Sequence, residues 1–215
     1  MIKRLAIVVP CYNEEEALPD TDKVLNDLMK DLVKREVVKS NSFIIYVNDG
    51  SKDKTWDVIK NAYENSEYVH GLNLAGNKGH QNALLAGLMQ VKDEVDVTIS
   101  IDADLQDDVG VIEEMIEKYY SGCDIVYGVR NDRTSDSGFK KFTAEAFYKL
   151  MNYMGAKTVY NSADFRLMSN RALDELSLYS ETHLFLRGLA PELGFKTDCV
   201  YYKRSPRLKG ESKYP

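Results

Sequence analysis

The sequence predicts an α/β domain with a mostly parallel central sheet and helices on both faces. Two observations carry that expectation. Short apolar runs alternate with longer amphipathic stretches four times within residues 1–130, and a strand–helix–strand series of this kind builds parallel crossovers. The first run, residues 5–9, is apolar without interruption and stops at Pro10, as expected of a strand covered on both faces.

The elements follow in order. Over residues 17–33 apolar side chains recur at 17/18, 24/25, 28/29 and 32/33, a helical stripe. Residues 43–47 make the second strand and 55–62 the second helix. Residues 69–74 alternate weakly and make a third strand; 83–91 is helical, 95–101 a strand, 111–120 a helix and 125–129 a strand. Beyond residue 130 the regularity fades. Residues 132–138 are polar and rich in Ser, Asp and Gly, a loop. Residues 139–154 are amphipathic, with Phe139, Phe142, Ala146 and Leu150 in line and Phe147, Met151 and Met154 beside them. That stripe suits a core-packing helix or, with Lys140, Lys141 and Lys149, a contact with a membrane surface. No repeat, low-complexity tract or linker divides the chain, so residues 1–215 read as a single domain.

Composition excludes several classes. The chain has 215 residues, 44% hydrophobic and 29% charged, enough for a real core. Its formal net charge is −6, and no Lys/Arg block is long enough to track a phosphate backbone, which argues against nucleic acid as a partner. An anionic ligand would therefore need local positive charge from a metal or from placed Arg and Lys. Cys11, Cys123 and Cys199 are odd in number, far apart and without a CxxC pair. They read as small buried hydrophobes in a reducing cytosol, not a disulfide framework or zinc site. The apolar start is too short for a signal peptide, and no run approaches the roughly 20 apolar residues that span a bilayer. The chain as given is expected to be soluble, and its basic, polar end at 203–215 is expected to be a truncation.

In open α/β sheets ligands bind outside the carboxyl ends of the strands. Four consecutive strands end here in polar, turn-forming or acidic residues: Pro10-Cys11-Tyr12-Asn13-Glu14-Glu15, Asn48-Asp49-Gly50-Ser51, Asn77-Lys78-Gly79-His80, and Asp102-Ala103-Asp104-Leu105-Gln106-Asp107-Asp108. The Asp-x-Asp pair is the sharpest of these. Two carboxylates two residues apart, with Gln106 adding a neutral oxygen, offer hard ligands to Mg²⁺ or Mn²⁺, which commonly takes one or two protein carboxylates plus substrate phosphate oxygens. Alone, the pattern is weak and is more often a solvated acidic turn. An EF-hand is disfavoured, because Asp107 stands where that loop needs Gly and a strand precedes it. Asp107 and Asp108 are expected to cap the next helix. Asp49 suits a base or ribose, or an Asx-turn leading into a helix cap. Neither GxGxxG nor GxxxxGK[ST] is present.

Together these motifs resemble family 2 glycosyltransferases, and within that family the polyprenyl-phosphate glycosyltransferases. The third motif extends in the match through Gln81, and Tyr127-Gly128-Val129-Arg130, Asn161-Ser162-Ala163-Asp164-Phe165-Arg166-Leu167, Phe185-Leu186-Arg187-Gly188-Leu189 and residues 207–215 continue it in family order across the chain. The resemblance implies the GT-A fold, with residues 1–130 forming the nucleotide- and metal-binding half and 131–215 the acceptor side. It implies donor contacts from Pro10, Tyr12, Asn13, Glu14, Val47, Asp49, Lys78, Gly79, Asp102, Ala103 and Arg130. Asp104 and Gln106, with Asp102, would hold the divalent metal. Arg166, Arg187, Arg207 and Lys213 would meet acceptor or diphosphate phosphates, which suits guanidinium forks and ammonium charges.

Asp104 and Asp164 are the catalytic candidates. Asp164 is expected to act as a base, to fix the sugar, or to pair with Arg166. The reaction implied is inverting transfer from a nucleotide-sugar, UDP favoured over GDP, to a polyprenyl phosphate at the cytoplasmic face of a membrane. A membrane segment beyond residue 215 would anchor the protein and provide for a homo-oligomer. Rival readings are a nucleotidyltransferase, which usually carries a Gly-rich basic loop after the first strand, and a non-catalytic nucleotide-binding module. A polysaccharide-extending transferase is the nearest enzyme alternative, but its usual Gln-x-x-Arg-Trp sequence is absent.

Overall fold

The computed structural model describes residues 2–131, 161–179 and 186–206. The loop expected at 132–138, the helix expected at 139–154, Arg207 and Lys213 lie outside them. Seven strands form one sheet: β1 (Leu5–Cys11), β2 (Phe43–Asn48), β3 (Val69–Asn73), β4 (Val97–Ser100), β5 (Ile125–Arg130), β6 (Ser162–Ser169) and β7 (Thr197–Tyr202), in the order β3-β2-β1-β4-β6-β5-β7. Every pairing is parallel except those of β6, which runs antiparallel to both β4 and β5.

Helices α1 (Leu18–Lys34), α2 (Thr55–Asn65) and α4 (Ile112–Tyr120) pack on one face, where Leu25, Met29, Leu32, Ile59 and Met115 are fully covered. Helices α3 (His80–Val91), α5 (Asn170–Leu176) and α6 (Leu186–Glu192) cover the other face through side chains such as Leu84, Leu88, Leu173 and Leu186. Each large apolar side chain so buried contributes about 1.5–3 kcal/mol. The cysteines form no disulfide; Cys11 and Cys123 are buried as expected, whereas Cys199, on edge strand β7, is only half covered.

Two features of the sheet create the site. The chain runs from β1 outward to β2 and β3, then α3 carries it back to β4 on the other side of β1. Connections leave β1 and β4 in opposite directions, and a crevice opens between their carboxyl ends. Pro10 belongs to this opening. Its register partner is Val47 on β2, while β1 pairs with β4 only as far as Val8 and Ser100. Its missing N–H points to the β4 side, beyond the end of that ladder, so β1 continues to Cys11 without losing a bond. The second feature is β6. Being antiparallel, it begins at the edge where the parallel strands end, and so brings Asp164 level with Asp102.

Gly50 shows how tightly the strand-end turns are fitted. Its φ is +63°, and an added Cβ would lie 2.5 Å from both the backbone N of Asn77 and the carbonyl carbon of Gly76. Gly50→Ala combines left-handed strain with a backbone collision, so chemical denaturation should register a loss of about 2 kcal/mol or more.

Candidate active site

A cavity of about 780 Å³ lies over the carboxyl ends of β1, β2 and β4 and the start of β6. Pro10, Tyr12 and Glu14 form one wall. The turn carrying them is clipped to the turn after β2: Asn13 N donates to Ser51 Oγ (3.0 Å), Lys52 N to Asn13 Oδ1 (2.8 Å) and Glu14 N to Thr55 Oγ1 (2.8 Å). Asn13 adopts a left-handed φ of 53° to do this. Asp49 is 1% exposed, and its carboxylate accepts from Lys78 N (2.6 Å) and Gly79 N (3.0 Å), holding the turn that opens α3. The Asx-type bond within its own turn comes from Asn48, whose Oδ1 accepts from Ser51 N.

The opposite wall is the Asp-x-Asp loop. Ala103 is buried, with its carbonyl accepting from Thr21 Oγ1 of α1 at 2.6 Å. Leu105 turns through a left-handed φ of 52°, and Asp104 Oδ1 accepts from Gln106 N (3.1 Å). Asp102 Oδ1 is enclosed and has no hydrogen-bond donor among the described residues; His80 Nε2 stands 3.5 Å away. Burial pushes the Asp102 carboxyl up to about 6; His80 opposes the shift, and Asp107, Asp164 and Asp104 add to it. Gln106 Oε1 accepts from Arg204, and Ser205 N donates to the Gln106 carbonyl (2.9 Å), so the chain leaving β7 lies against this loop. No group of three or more His, Cys, Asp or Glu residues is arranged as a metal centre among the described residues. The donor set is instead two carboxylates and an amide oxygen, one carboxylate oxygen being enclosed without a donor. That set has the hard-oxygen chemistry of a Mg²⁺- or Mn²⁺-type ion.

Across the cavity, Asp164 is the centre of a charged knot. It is 2% exposed and accepts from Arg187 Nε (3.0 Å), Arg187 Nη2 (2.9 Å), Gln81 Nε2 (2.9 Å) and Arg166 Nη2 (3.3 Å), with His80 Nε2 at 3.3 Å. Burial alone would raise this carboxyl, but His80, Arg187 and Arg166 outweigh it and hold Asp164 well below the usual carboxylate range. At His80 burial disfavours the cation, yet Asp164 and Asp102 pull its pKa above the ordinary histidine value. Arg166 is 3% exposed and also donates to the Leu186 carbonyl (2.8 Å); its burial lowers its pKa, with Asp164 acting the other way.

Twelve of the proposed residues thus line one cavity: Pro10, Tyr12, Glu14, Asp49, Lys78, Gly79, Asp102, Ala103, Asp104, Gln106, Asp164 and Arg187. Asn13 and Arg166 support its walls from behind. Val47 is fully buried and faces α3. Arg130 is bound through Nε (3.0 Å) and Nη2 (2.8 Å) to Asp107 Oδ1, which also accepts from Tyr202 (2.6 Å). This corrects the capping role expected for Asp107: it is 3% exposed and ties β5 and β7 to the Asp-x-Asp loop, while Asp108 does cap the following turn through Gly110 N. His80 and Gln81, which stood in the strand-end motif, were given no role of their own by the sequence, yet both line the cavity. The signal was their position directly after the Asn-Lys-Gly turn, but the apolar periodicity placed the helix start at 83.

Residues 6–177 match the family described as Glycosyl transferase family 2. The chain is 51% identical over 211 residues to the uncharacterized glycosyltransferase YkoT of Bacillus subtilis (strain 168), covering 98% of this chain and 63% of that protein. It is 39% identical over 212 residues to the prophage bactoprenol glucosyl transferase homolog of Escherichia coli (strain K12), covering 98% and 67%. The chain therefore spans about two thirds of the length of these relatives. Among solved structures, the mannosyltransferase PcManGT from Pyrobaculum calidifontis in complex with GDP-Man and Mn²⁺ superposes with a TM-score of 0.65 at 14% identity, over 94% of this chain and 55% of that one. Glucosyl-3-phosphoglycerate synthase from Mycobacterium tuberculosis, in complex with Mn²⁺, UDP and phosphoglyceric acid, gives a TM-score of 0.63 at 16% identity, over 97% and 72%. These identities bear on the fold alone, and the fold is the GT-A arrangement expected from the sequence.

Proposed function

The chain belongs to glycosyl transferase family 2, and from this premise we propose that it moves a hexose from a UDP-sugar to a polyprenyl phosphate, with inversion at the anomeric carbon. One observation carries the reading: a single cavity sets the oxygen ligands of Asp102, Asp104 and Gln106 against the Asp164–Arg187 pair. The likeness to bactoprenol glucosyl transferases supports the lipid acceptor and the glucosyl class of donor.

Pro10, Tyr12 and Glu14 receive the nucleoside, with Lys78 and Gly79 held against it by Asp49. Asp104, Gln106 and Asp102 would hold a divalent cation on the diphosphate. The chemistry such an ion would supply there is neutralisation of the charge that grows on the leaving nucleoside diphosphate. The acceptor needs no base, because a phosphate monoester with a second pKa of about 6 is largely dianionic at neutral pH. Asp164, held ionised by its arginines, is correspondingly a weak base. Its role in this reading is to fix Arg187 and His80 toward the reacting groups, while Arg187, with Arg207 and Lys213, collects the incoming phosphate. Residues 1–130 then serve the donor and 131–215 the acceptor, at the cytoplasmic face of a membrane. No described helix is long and apolar enough to cross one.

The test supplies radiolabelled UDP-glucose, UDP-N-acetylglucosamine or GDP-mannose with undecaprenyl phosphate in detergent, with Mn²⁺, Mg²⁺ or EDTA. Label should enter the organic phase from a UDP-sugar only when metal is present. Transfer to a hydroxyl-bearing glycan instead would replace the lipid acceptor, and label left in water with every donor would sink the reading.

A further inference from the structure

We propose that Gln81 is a positioning residue for transfer: its amide locks the Asp164–Arg187 pair into the cavity. The inference rests on the transferase reading above. Gln81 sits in the first turn of α3, whose start is itself fixed by Asp49 through the N–H groups of Lys78 and Gly79. From there its Nε2 donates to Asp164 Oδ2 (2.9 Å), and its Oε1 accepts from Leu186 N (3.3 Å). One side chain thus joins the donor-side helix α3, strand β6 and the beginning of α6.

Leu186 is the residue immediately before Arg187. It is held at its N–H by Gln81 and at its carbonyl by Arg166 Nη1 (2.8 Å), and these two bonds fix Leu186 against α3 and β6. Arg187 then reaches Asp164 with two nitrogens, and that same carboxylate takes the Gln81 amide. The arrangement closes a ring: Gln81 to Asp164, Asp164 to Arg187, Arg187 through the backbone to Leu186, and Leu186 back to Gln81. Removing the amide leaves Arg187 and Asp164 attached to each other but frees the pair to shift relative to α3 and the donor wall.

A neutral amide meets both demands at every pH. An ionised carboxylate offers acceptors alone and a backbone N–H offers a donor alone, so the residue between them must give one hydrogen bond and take one. Methionine has the length but neither bond. Ionised glutamate keeps the acceptor for Leu186 but presents a second negative charge to Asp164. A protonated glutamate, by contrast, again offers one donor and one acceptor. The charged groups facing this position are Asp164, Arg187 and Arg166, with His80 and Asp102 beyond the carboxylate.

The experiment compares wild type, Gln81→Met and Gln81→Glu as full chains, using UDP-glucose, Mn²⁺ and undecaprenyl phosphate. Gln81→Met should retain its melting temperature within a few degrees and keep the UDP/Mn²⁺ thermal shift. Its kcat should fall roughly 10- to 100-fold, with KM for UDP-glucose little changed. Gln81→Glu should be at least as impaired at pH 8 and should recover relative to wild type as the pH is lowered toward 5. A residue that only fills space would give a deficit independent of pH. ¹⁵N NMR of the Arg187 Nε–H supplies a readout without turnover: slow solvent exchange in wild type should become fast in Gln81→Met. Wild-type kcat in Gln81→Met, no pH-dependent recovery in Gln81→Glu, or unchanged Arg187 protection would each overturn the proposal. A wild-type chain that transfers nothing would instead overturn the transferase reading, and the NMR comparison would still decide the role of Gln81.

Discussion

Asp164→Asn should lower kcat for sugar transfer by roughly 100- to 1000-fold while leaving metal-dependent nucleotide binding intact. The substitution preserves shape and removes one charge, and that charge is what the surrounding donors are arranged to meet. Two arginines, a glutamine and a histidine converge on this carboxylate. An asparagine amide would turn an N–H₂ toward some of those donors and leave Arg166, 3% exposed, without its counter-charge. Breaking a buried pair from one side costs about 3–5 kcal/mol, which for a domain of this size is a fall in melting temperature of roughly 6–20 °C.

The pH dependence of that difference has a definite sign. Burial raises the Asp164 pKa, but His80, Arg187 and Arg166 prevail and hold it below the unfolded value of about 3.9. Its stabilisation is therefore fully present above about pH 4 and is lost only as pH falls further, through the folded pKa. Calorimetry of wild type and variant should show a gap that is widest between about pH 4 and 6, narrows at higher pH as His80, whose raised pKa depends on Asp164, loses its proton, and closes in stronger acid. Unchanged turnover in Asp164→Asn would remove this residue from the mechanism.

Asp164 also marks where the sequence became hard to read. The first five strands were legible because apolar runs such as Leu5-Ala6-Ile7-Val8-Val9 leave little choice but a covered strand, and the strand-end rule then pointed to the cavity. Strand β6 was not read as a strand, because Asp164 and Arg166 interrupt its apolar pattern. Both are buried there, and each is tolerated through the other and through Arg187 and Leu186, contacts between residues distant in the chain that no local pattern displays. The same reason hid the bonds of Asp107 to Arg130 and Tyr202, which join the loop after β4 to the ends of β5 and β7, 23 and 95 residues away. Periodicity misplaced the start of α3 because His80 and Gln81 are polar and face the cavity. The polar first turn was read as loop when it is the end of the helix that lines the cavity.

Asp104→Asn should abolish the stabilisation that UDP and Mn²⁺ together confer. At about 100 times its dissociation constant a ligand stabilises the fold by roughly 2.7 kcal/mol, or about 5–10 °C for a domain this size. In wild type that shift should appear with UDP and Mn²⁺ and collapse with EDTA. The asparagine variant isolates the charge, because its Oδ1 can still accept from Gln106 N and so keep the turn through Leu105 in shape. What it loses is the anionic oxygen a hard divalent ion prefers. Asp102 is the less informative target: it lies in the field of His80, Asp107, Asp164 and Asp104, and changing it also removes a charge that holds the His80 pKa up. A full shift retained in Asp104→Asn and still sensitive to EDTA would move the ion to Asp102 and Gln106. No shift in wild type with UDP, GDP or CDP at saturation would sink the donor site itself, since a cavity that binds no nucleotide cannot present a leaving diphosphate to its metal.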